Sequence, residues 1–280
     1  MNINEVKIVT DSSSDLLSLE GVAFGSAPLK IITAQKEYVD DQSLNVAEMA
    51  NDLSAYKGRS STSCPNTGEW LEAFGDTKYV FCVTITATLS GSYNSAVLAK
   101  NYYEELYPDR KVFVLNSLTA GPEMALIIHK IKDLAKEETE FDEVCRKVTE
   151  YSQSTGLLFI LESMKNLANN GRVSPLVAKV AGVLGIRVIG KASDKGDLQQ
   201  LSKARGQDKA LQSTVAHLKE LGLKSGKVKI AHCENKAAAE SLKALIDVNF
   251  AGAETEIYPC RGLCSFYAEK GGLLIGFEKN

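Results

Sequence analysis

The first half of the chain alternates short apolar runs with longer amphipathic segments, and this alternation limits the folds open to it. Three runs have the length and composition of buried parallel strands: Val6–Thr10, Val80–Thr84 and Val112–Asn116. Four further segments repeat apolar residues at helical spacing: Leu44–Lys57, Tyr93–Leu106, Pro122–Lys136 and Phe141–Ser154. Alternating strands and helices predict a parallel sheet with helices on both faces, a three-layer α/β/α arrangement.

The pattern changes in the second half. Strand-like runs there follow one another with fewer crossover helices: Ile186–Ala192, Lys227–Cys233, Glu254–Tyr258 and Leu273–Glu278. Helices are predicted at Gln207–Leu221, at Lys236–Val248 and at Ser174–Leu184, where Ser174 would cap the helix and Pro175 lie in its first turn. This order predicts an α+β unit with a mixed or antiparallel sheet. A chain of 280 residues also favours two domains, which we expect at 1–155 and 156–280.

Composition narrows the class of protein. The net charge of −3 provides no basic field for a nucleic acid, so no nucleic acid partner is expected. No apolar run reaches the roughly 18 residues of a membrane span, and the first residues do not resemble a signal peptide. The six cysteines are scattered through the chain, which is typical of reduced thiols. These features predict a cytoplasmic protein without membrane insertion.

Metal binding and nucleophilic catalysis find little support. Cys260 and Cys264, with His232 and Cys233, could supply four zinc ligands, but the spacing is not that of paired CxxC motifs, and both segments are interpreted as strand ends with packed thiols. There is no G-x-S-x-G elbow and no phosphate-binding glycine loop. We therefore expect neither a metal ion, nor a cofactor, nor a catalytic residue.

The stretch "VKIVTDSSSDL" places Asp11 at the end of a predicted strand, where phosphatases and kinases carry nucleophiles or metal ligands. One hypothesis is therefore a small-molecule hydrolase or phosphatase that uses Asp11. The other is that Asp11 or Ser12 caps the turn that follows. No second acidic motif with metal-ligand spacing follows, so the cap is the favoured interpretation.

Two loops rich in hydroxyl groups precede predicted helices. They are "SSTSCP", at Ser60–Pro65, and "TATLSGSYNSA", at Thr86–Ala96. A helix N-terminus leaves backbone N–H groups free to bind an anion, although simple capping explains each loop taken alone. If both loops lie at the same edge of one sheet, a bound anion is favoured. Neither loop carries a base, which indicates binding rather than conversion of the ligand.

Five motifs occur in the order and at the intervals seen in DegV proteins: "VKIVTDSSSDL", "TSCPNTGEW", "TATLSGSYNSA", "NNGRVSP" and "GDLQQLSKARGQDKAL". The chain resembles this family from Val6 to Phe277. DegV proteins resemble the fatty-acid-binding subunits of bacterial fatty acid kinase. The resemblance implies a two-domain α/β fold with a long-chain fatty acid buried between the domains. It also implies a separate kinase subunit that uses ATP to phosphorylate the bound carboxylate.

The resemblance also implies a set of site residues. The family's threonine-serine pair falls on Thr62 and Ser63, and its "LSG(S/T)Y" loop places Ser90, Gly91 and Ser92 near the carboxylate. The "GRVSP" motif brings Arg172 to the same region, together with Ser174. The "ARG" stretch brings Arg205, which we expect to belong to the headgroup region or to face the partner.

One position departs from the family pattern. The family usually carries a histidine before a Gly-Pro-Gly turn, whereas this chain has Tyr267, with Glu269 and Lys270 in place of Gly-Pro. The phenol of Tyr267 is therefore predicted to donate a hydrogen bond to the ligand carboxylate or to a serine beside it.

A long acyl chain would also need an apolar tunnel. Roughly 14 methylenes at ~0.8 kcal/mol each give about 11 kcal/mol on full burial, before ordering costs. The segments Leu157–Leu161 and Leu176–Ile186 are apolar enough to line such a tunnel. An ordinary hydrophobic core explains each of these residues equally well.

Overall fold

The computed structural model describes residues 1–137, 139–174 and 185–280. In chain order its strands are β1 Val6–Asp11, β2 Ala23–Ala27, β3 Lys30–Ile32, β4 Glu37–Val39, β5 Ser61–Ser63, β6 Tyr79–Thr84, β7 Lys111–Asn116, β8 Thr155–Leu161, β9 Ile186–Ala192, β10 Leu198–Arg205, β11 Gly226–His232, β12 Ala253–Pro259 and β13 Leu273–Glu278. Its helices are α1 Val46–Ala55, α2 Thr67–Phe74, α3 Ser92–Leu106, α4 Pro122–Lys136, α5 Phe141–Gln153, α6 Lys165–Asn169, α7 Gln207–Glu220, α8 Lys236–Asn249 and α9 Gly262–Ala268.

The first sheet is parallel, with the strand order β2-β1-β6-β7. Because side chains alternate along a strand, neighbouring residues face opposite layers. Ile8 and Phe81 pack in the core that contains α4 and α5, whereas Val9 and Cys82 pack with Trp70 in the core that contains α2 and α3. The predicted three-layer α/β/α arrangement is confirmed.

The second sheet is mixed, with the order β10-β9-β8-β13-β11-β12. Its neighbouring strands are antiparallel except for β11 and β12, which are parallel. Leu158 and Ile160 of β8 pack in the core that contains α7 and α8, and the alternate residues Phe159 and Leu161 face the opposite side. The prediction of an α+β second half with a mixed or antiparallel sheet is also confirmed.

Helix α4 packs against both sheets. It contacts β1 and β6 of the first sheet and β8, β11 and β13 of the second. The contact with β13 is so close that a Cβ atom added at Gly276 would lie 2.5 Å from the backbone nitrogen of Glu123. The side chain of Glu123 accepts a hydrogen bond from the Thr155 hydroxyl at 2.8 Å, and Lys227 pairs with Asp133 at 3.6 Å. Such burial explains the unbroken apolar run 124–128 in the first half of α4.

Some elements differ from the sequence predictions. The third sheet, with the order β4-β3-β5, and the short helix α9 were not predicted. Cys264 lies inside α9, so its interpretation as part of a strand end is wrong; the apolar residues of this segment follow a helical spacing. The helix predicted at Ser174–Leu184 lies, from Pro175 onward, outside the described residues. Among the helices that are described, none combines the length and apolar character needed to cross a membrane.

Candidate functional site

The carboxylate of Asp11, at the end of β1, accepts hydrogen bonds from the surrounding backbone and hydroxyl groups. This carboxylate is fully buried and accepts hydrogen bonds from the backbone and hydroxyl of Ser13, from the Ile85 N–H at 2.9 Å and from the Ser92 hydroxyl at 2.6 Å. Burial raises the pKa of Asp11, and these hydrogen bonds oppose the rise. Because donors occupy both oxygens and the side chain is closed to solvent, the geometry favours the capping interpretation over a nucleophile.

An apolar cavity lies between the inner face of the second sheet and the loops that follow the strands of the first. Ile85 follows β6 and Ala120 follows β7, so the cavity meets the carboxyl edge of the parallel sheet, where α/β proteins bind ligands. Leu157, Phe159 and Leu161 line it from alternate positions of β8, over a span of about 13 Å. The volume of this cavity is about 90 Å³.

The polar groups of the cavity include a pair of hydroxyls and a guanidinium. The Thr62 hydroxyl, on β5, lies 2.7 Å from the phenol oxygen of Tyr267, on α9. The Arg172 guanidinium lies 5.8 Å from the centre of the Tyr267 ring and donates to the Leu89 carbonyl at 3.1 Å. Burial raises the pKa of Tyr267, with Thr62 and Arg172 opposing the rise, so the phenol is a neutral donor at physiological pH. Together these groups can bind the oxygens of a carboxylate.

Ser90 also lines the cavity, and its hydroxyl accepts from the Ser92 N–H at 3.3 Å. Gly91 and Ser92 form the start of α3, but the Ser92 hydroxyl donates to Asp11 and its side chain is fully buried. Ser63 follows Thr62 on β5 and therefore points to the other face of that strand. Of the predicted residues, the structure thus brings Thr62, Ser90, Arg172 and Tyr267 to the cavity wall.

Arg205 lies elsewhere. It is the last residue of β10, opposite Ile186, and it is exposed. Leu198, at the other end of the same strand, lines the cavity, and seven strand steps separate the two residues by about 23 Å. Ser174 is exposed, and the apolar segment Leu176–Ile186 falls largely outside the described residues.

The zinc hypothesis finds no geometric support. In the described ranges, no three His, Cys, Asp or Glu side chains are arranged to hold a metal ion. Cys233, Cys260 and Cys264 are free, buried thiols, and burial raises the pKa of each above the usual value. A thiol with a raised pKa is a poor ligand and a poor nucleophile, because both roles need the thiolate.

Sequence reasoning missed two carboxylates beside the cavity. Asp15 and Asp40 are buried and accept hydrogen bonds from the first backbone N–H groups of the α9 segment. Asp15 was visible as the second acid of "TDSSSD", but its partner lies 246 residues further along the chain. Leu29 and Leu263, which line the cavity, were also missed, because residues far apart in the sequence meet there only in the folded chain.

The chain is similar to many known proteins, both by sequence and by structure. A family profile described as "Uncharacterised protein, DegV family" matches residues 5–280. A DegV domain-containing protein of Streptococcus pneumoniae is 43% identical over 276 residues, which cover 97% of this chain and 98% of that protein.

Two solved structures are similar over their whole length. A DegV family protein from Eubacterium eligens, loaded with heptadecanoic acid, is 41% identical with a TM-score of 0.97, covering 98% of this chain and 100% of that one. The Streptococcus pneumoniae fatty acid kinase B3 protein, loaded with linoleic acid, is 42% identical with a TM-score of 0.97 and full coverage of both chains.

Proposed function

The chain belongs to the DegV family, and we propose that it binds a long-chain fatty acid in the cavity between its two large sheets. The observation that carries the proposal is the composition of this cavity: an apolar wall with a hydroxyl pair and an arginine at one place in it. An apolar wall alone would fit many ligands. A carboxylate headgroup accounts for the polar groups as well, since Arg172, Thr62 and Tyr267 all offer donors to it.

The acyl chain of the fatty acid would lie against the apolar part of the cavity wall. Roughly 14 methylenes leaving water stabilise the complex by about 11 kcal/mol before ordering costs. The related proteins of Eubacterium eligens and Streptococcus pneumoniae hold heptadecanoic acid and linoleic acid, at 41% and 42% identity to this chain. This similarity supports a fatty acid as ligand of the present chain.

The headgroup is assigned to Thr62, Ser90, Arg172 and Tyr267, which line the cavity. Ser63, Gly91 and Ser92 are not assigned to the headgroup. They belong to β5 and to the start of α3, next to Thr62 and Ser90. Residues 1–155 and 156–280 are proposed as the two domains; the second sheet begins with β8, at Thr155.

The protein is proposed to present the bound acid to a separate ATP-dependent kinase subunit rather than to react with it. The similar pneumococcal protein is named as a fatty acid kinase B3 protein. Among the described residues, the cavity wall carries hydroxyls, a thiol and a guanidinium but no general base. Asp11, the candidate nucleophile of a hydrolase, is buried among four donors. The partner kinase would therefore make the acyl phosphate from the acid that this chain holds, in the cytoplasm and with no cofactor in this chain.

Mass spectrometry of an organic extract tests the proposal. The purified protein should release fatty acid at about one molecule per chain. Ala120→Phe, which adds a ring at the cavity wall, should lower this occupancy, and Ala34→Phe, at an exposed turn, should not. A wild-type extract without fatty acid, from a protein that also fails to bind added acid, would refute the proposal. Turnover of phosphate esters by the wild type would favour the hydrolase.

A further inference from the structure

The start of α9 is held by two carboxylates from the first half of the chain. Asp15 accepts a hydrogen bond from the Arg261 N–H at 2.7 Å. The two oxygens of Asp40 accept from the N–H groups of Gly262 and Leu263, at 2.9 and 2.8 Å. Three consecutive N–H groups at the helix start are therefore satisfied by side chains that lie more than 220 residues earlier in the sequence.

The same short helix carries Tyr267. Leu263 and Tyr267 are four residues apart, so they lie one above the other on the same face of α9. Both line the cavity, and Tyr267 makes its hydroxyl contact with Thr62 from this face. Any shift of the helix start is therefore passed to the phenol, because α9 is only seven residues long.

We propose that Asp15 and Asp40 are positioning residues of the headgroup site: by holding the first N–H groups of the α9 segment, they set where Tyr267 presents its hydroxyl beside Thr62. The inference rests on the proposed function, because it assigns these carboxylates to the site that would hold the fatty acid carboxylate. Neither carboxylate lines the cavity itself, so both act through the backbone of the α9 segment.

The two carboxylates are not equivalent. Asp40 uses both oxygens, whereas Oδ2 of Asp15 is buried without a hydrogen-bond partner in the part of the chain that the structure describes. A Cβ atom added at Gly121 would lie 3.8 Å from this oxygen and 3.7 Å from the Cys264 sulfur, so both atoms border the same space beside Gly121. An unsatisfied buried oxygen favours the protonated form of the acid.

The groups around Asp15 set its titration range. Burial raises the pKa of Asp15 to about 7; the charge of Asp40 adds to the rise, and the N–H and charge of Arg261 oppose it, as does Cys264. The other titratable neighbours are Cys233, Cys260 and Tyr258, whose own pKa values burial raises, so they stay neutral at that pH. Asp15 therefore gains its charge near neutrality. Because burial under the α9 segment favours the protonated form, ionisation of Asp15 above this pH should hold α9 less firmly and lower the affinity for fatty acid.

Fatty acid affinity of four variants tests the inference. Asp15→Ala and Asp40→Ala should each bind about 10-fold more weakly, because the helix start loses its acceptors. Asp15→Asn keeps an acceptor for the Arg261 N–H, so it should restore nearly full affinity and remove the step in affinity near pH 7. Glu123, another buried carboxylate, accepts its hydrogen bond from Thr155 of β8, so Glu123→Gln is the matched control with unchanged affinity.

A double-mutant cycle separates positioning from general destabilisation. If the carboxylates act through the phenol, Asp40→Ala should weaken binding much less in a Tyr267→Phe background than in the wild type. Additive effects of the two substitutions would overturn the inference. So would wild-type affinity in a folded Asp40→Ala variant.

A measurement without ligand separates this inference from the proposed function. Hydrogen exchange of the amides in residues 261–268 should be faster in Asp15→Ala and Asp40→Ala than in the wild type and in Glu123→Gln. If the protein binds no fatty acid but shows this pattern, the proposed ligand is wrong, while Asp15 and Asp40 still hold the start of α9. If the protein binds fatty acid and α9 exchanges at the wild-type rate in both alanine variants, the two carboxylates do not hold α9 and the inference is refuted. An Asp40→Ala variant that does not fold leaves Asp15→Ala to decide.

Discussion

The Thr62 hydroxyl lies 2.7 Å from the phenol oxygen of Tyr267, across 205 residues of sequence. This contact joins the small antiparallel sheet to α9 at the wall of the cavity. Each hydroxyl can donate and accept, so one can turn its proton toward a carboxylate while the bond between them is kept. The pair could therefore supply a donor to the carboxylate headgroup proposed for this site.

Removing one of these hydroxyls should weaken binding. Tyr267→Phe keeps the ring and loses the donor, and a hydrogen bond to a charged group contributes roughly 1.5–3 kcal/mol, so the affinity for fatty acid should fall about 10- to 150-fold. Titration calorimetry on delipidated protein measures the change. Tyr102→Phe, on the exposed face of α3, is the control. Equal affinity of Tyr267→Phe and wild type would mean that the hydroxyl does not contact the ligand.

The two arginines should separate ligand binding from partner recognition. Arg172 lines the cavity, so Arg172→Ala should lower fatty acid affinity about 10-fold or more, as expected for a lost charge-assisted hydrogen bond. Arg205 is exposed and remote, so Arg205→Ala should keep that affinity and impair acyl-phosphate formation with a cognate kinase. Both should impair the kinase assay more than they lower thermal stability. Full kinase activity of Arg205→Ala would remove its partner-facing role.

Asp15 should make stability depend on pH. Burial raises the pKa of Asp15 to about 7, whereas an unfolded Asp titrates near pH ~4. Between these values the folded state keeps a proton that the unfolded state loses. Its contribution to the free energy of unfolding should therefore fall with rising pH, by up to about 1.4 kcal/mol per unit, and level off above pH ~7. Urea melts of the wild type and Asp15→Asn at several pH values isolate this contribution. Parallel curves would contradict the assignment.

Gly276→Ala should destabilise the fold. The added Cβ would lie 2.5 Å from the backbone nitrogen of Glu123, so α4 and β13 must move apart. Overpacking of this kind costs about 1–3 kcal/mol, or more when backbone must shift. Gly68→Ala, where the added atom meets only the Asn66 side chain at 3.2 Å, is the control and should be close to neutral. Denaturant midpoints of both variants check the difference.

The fold was predictable where a periodic pattern is long. Helix α4 and strand β13 have the predicted bounds, because a buried helix and a buried strand each show their spacing in the sequence. Strand β5 escaped prediction because it has three small polar residues and gains its structure from pairing with β3. The carboxylate anchors of α9 could not be found from sequence, since Asp40 and Gly262 meet only in the folded chain. Thr62 and Arg172 were identified by family resemblance rather than by their local pattern.

Helix α4 belongs to the first half of the chain by sequence and to both sheets by packing. A fragment ending near residue 155 would keep α4 but lose the second sheet, which would expose the face of α4 that packs against that sheet. Such a fragment should aggregate, and the intact chain should melt in a single calorimetric transition. Because α4 contacts both sheets, we expect the distance between the sheets, and with it the depth of the cavity, to stay unchanged when a ligand binds.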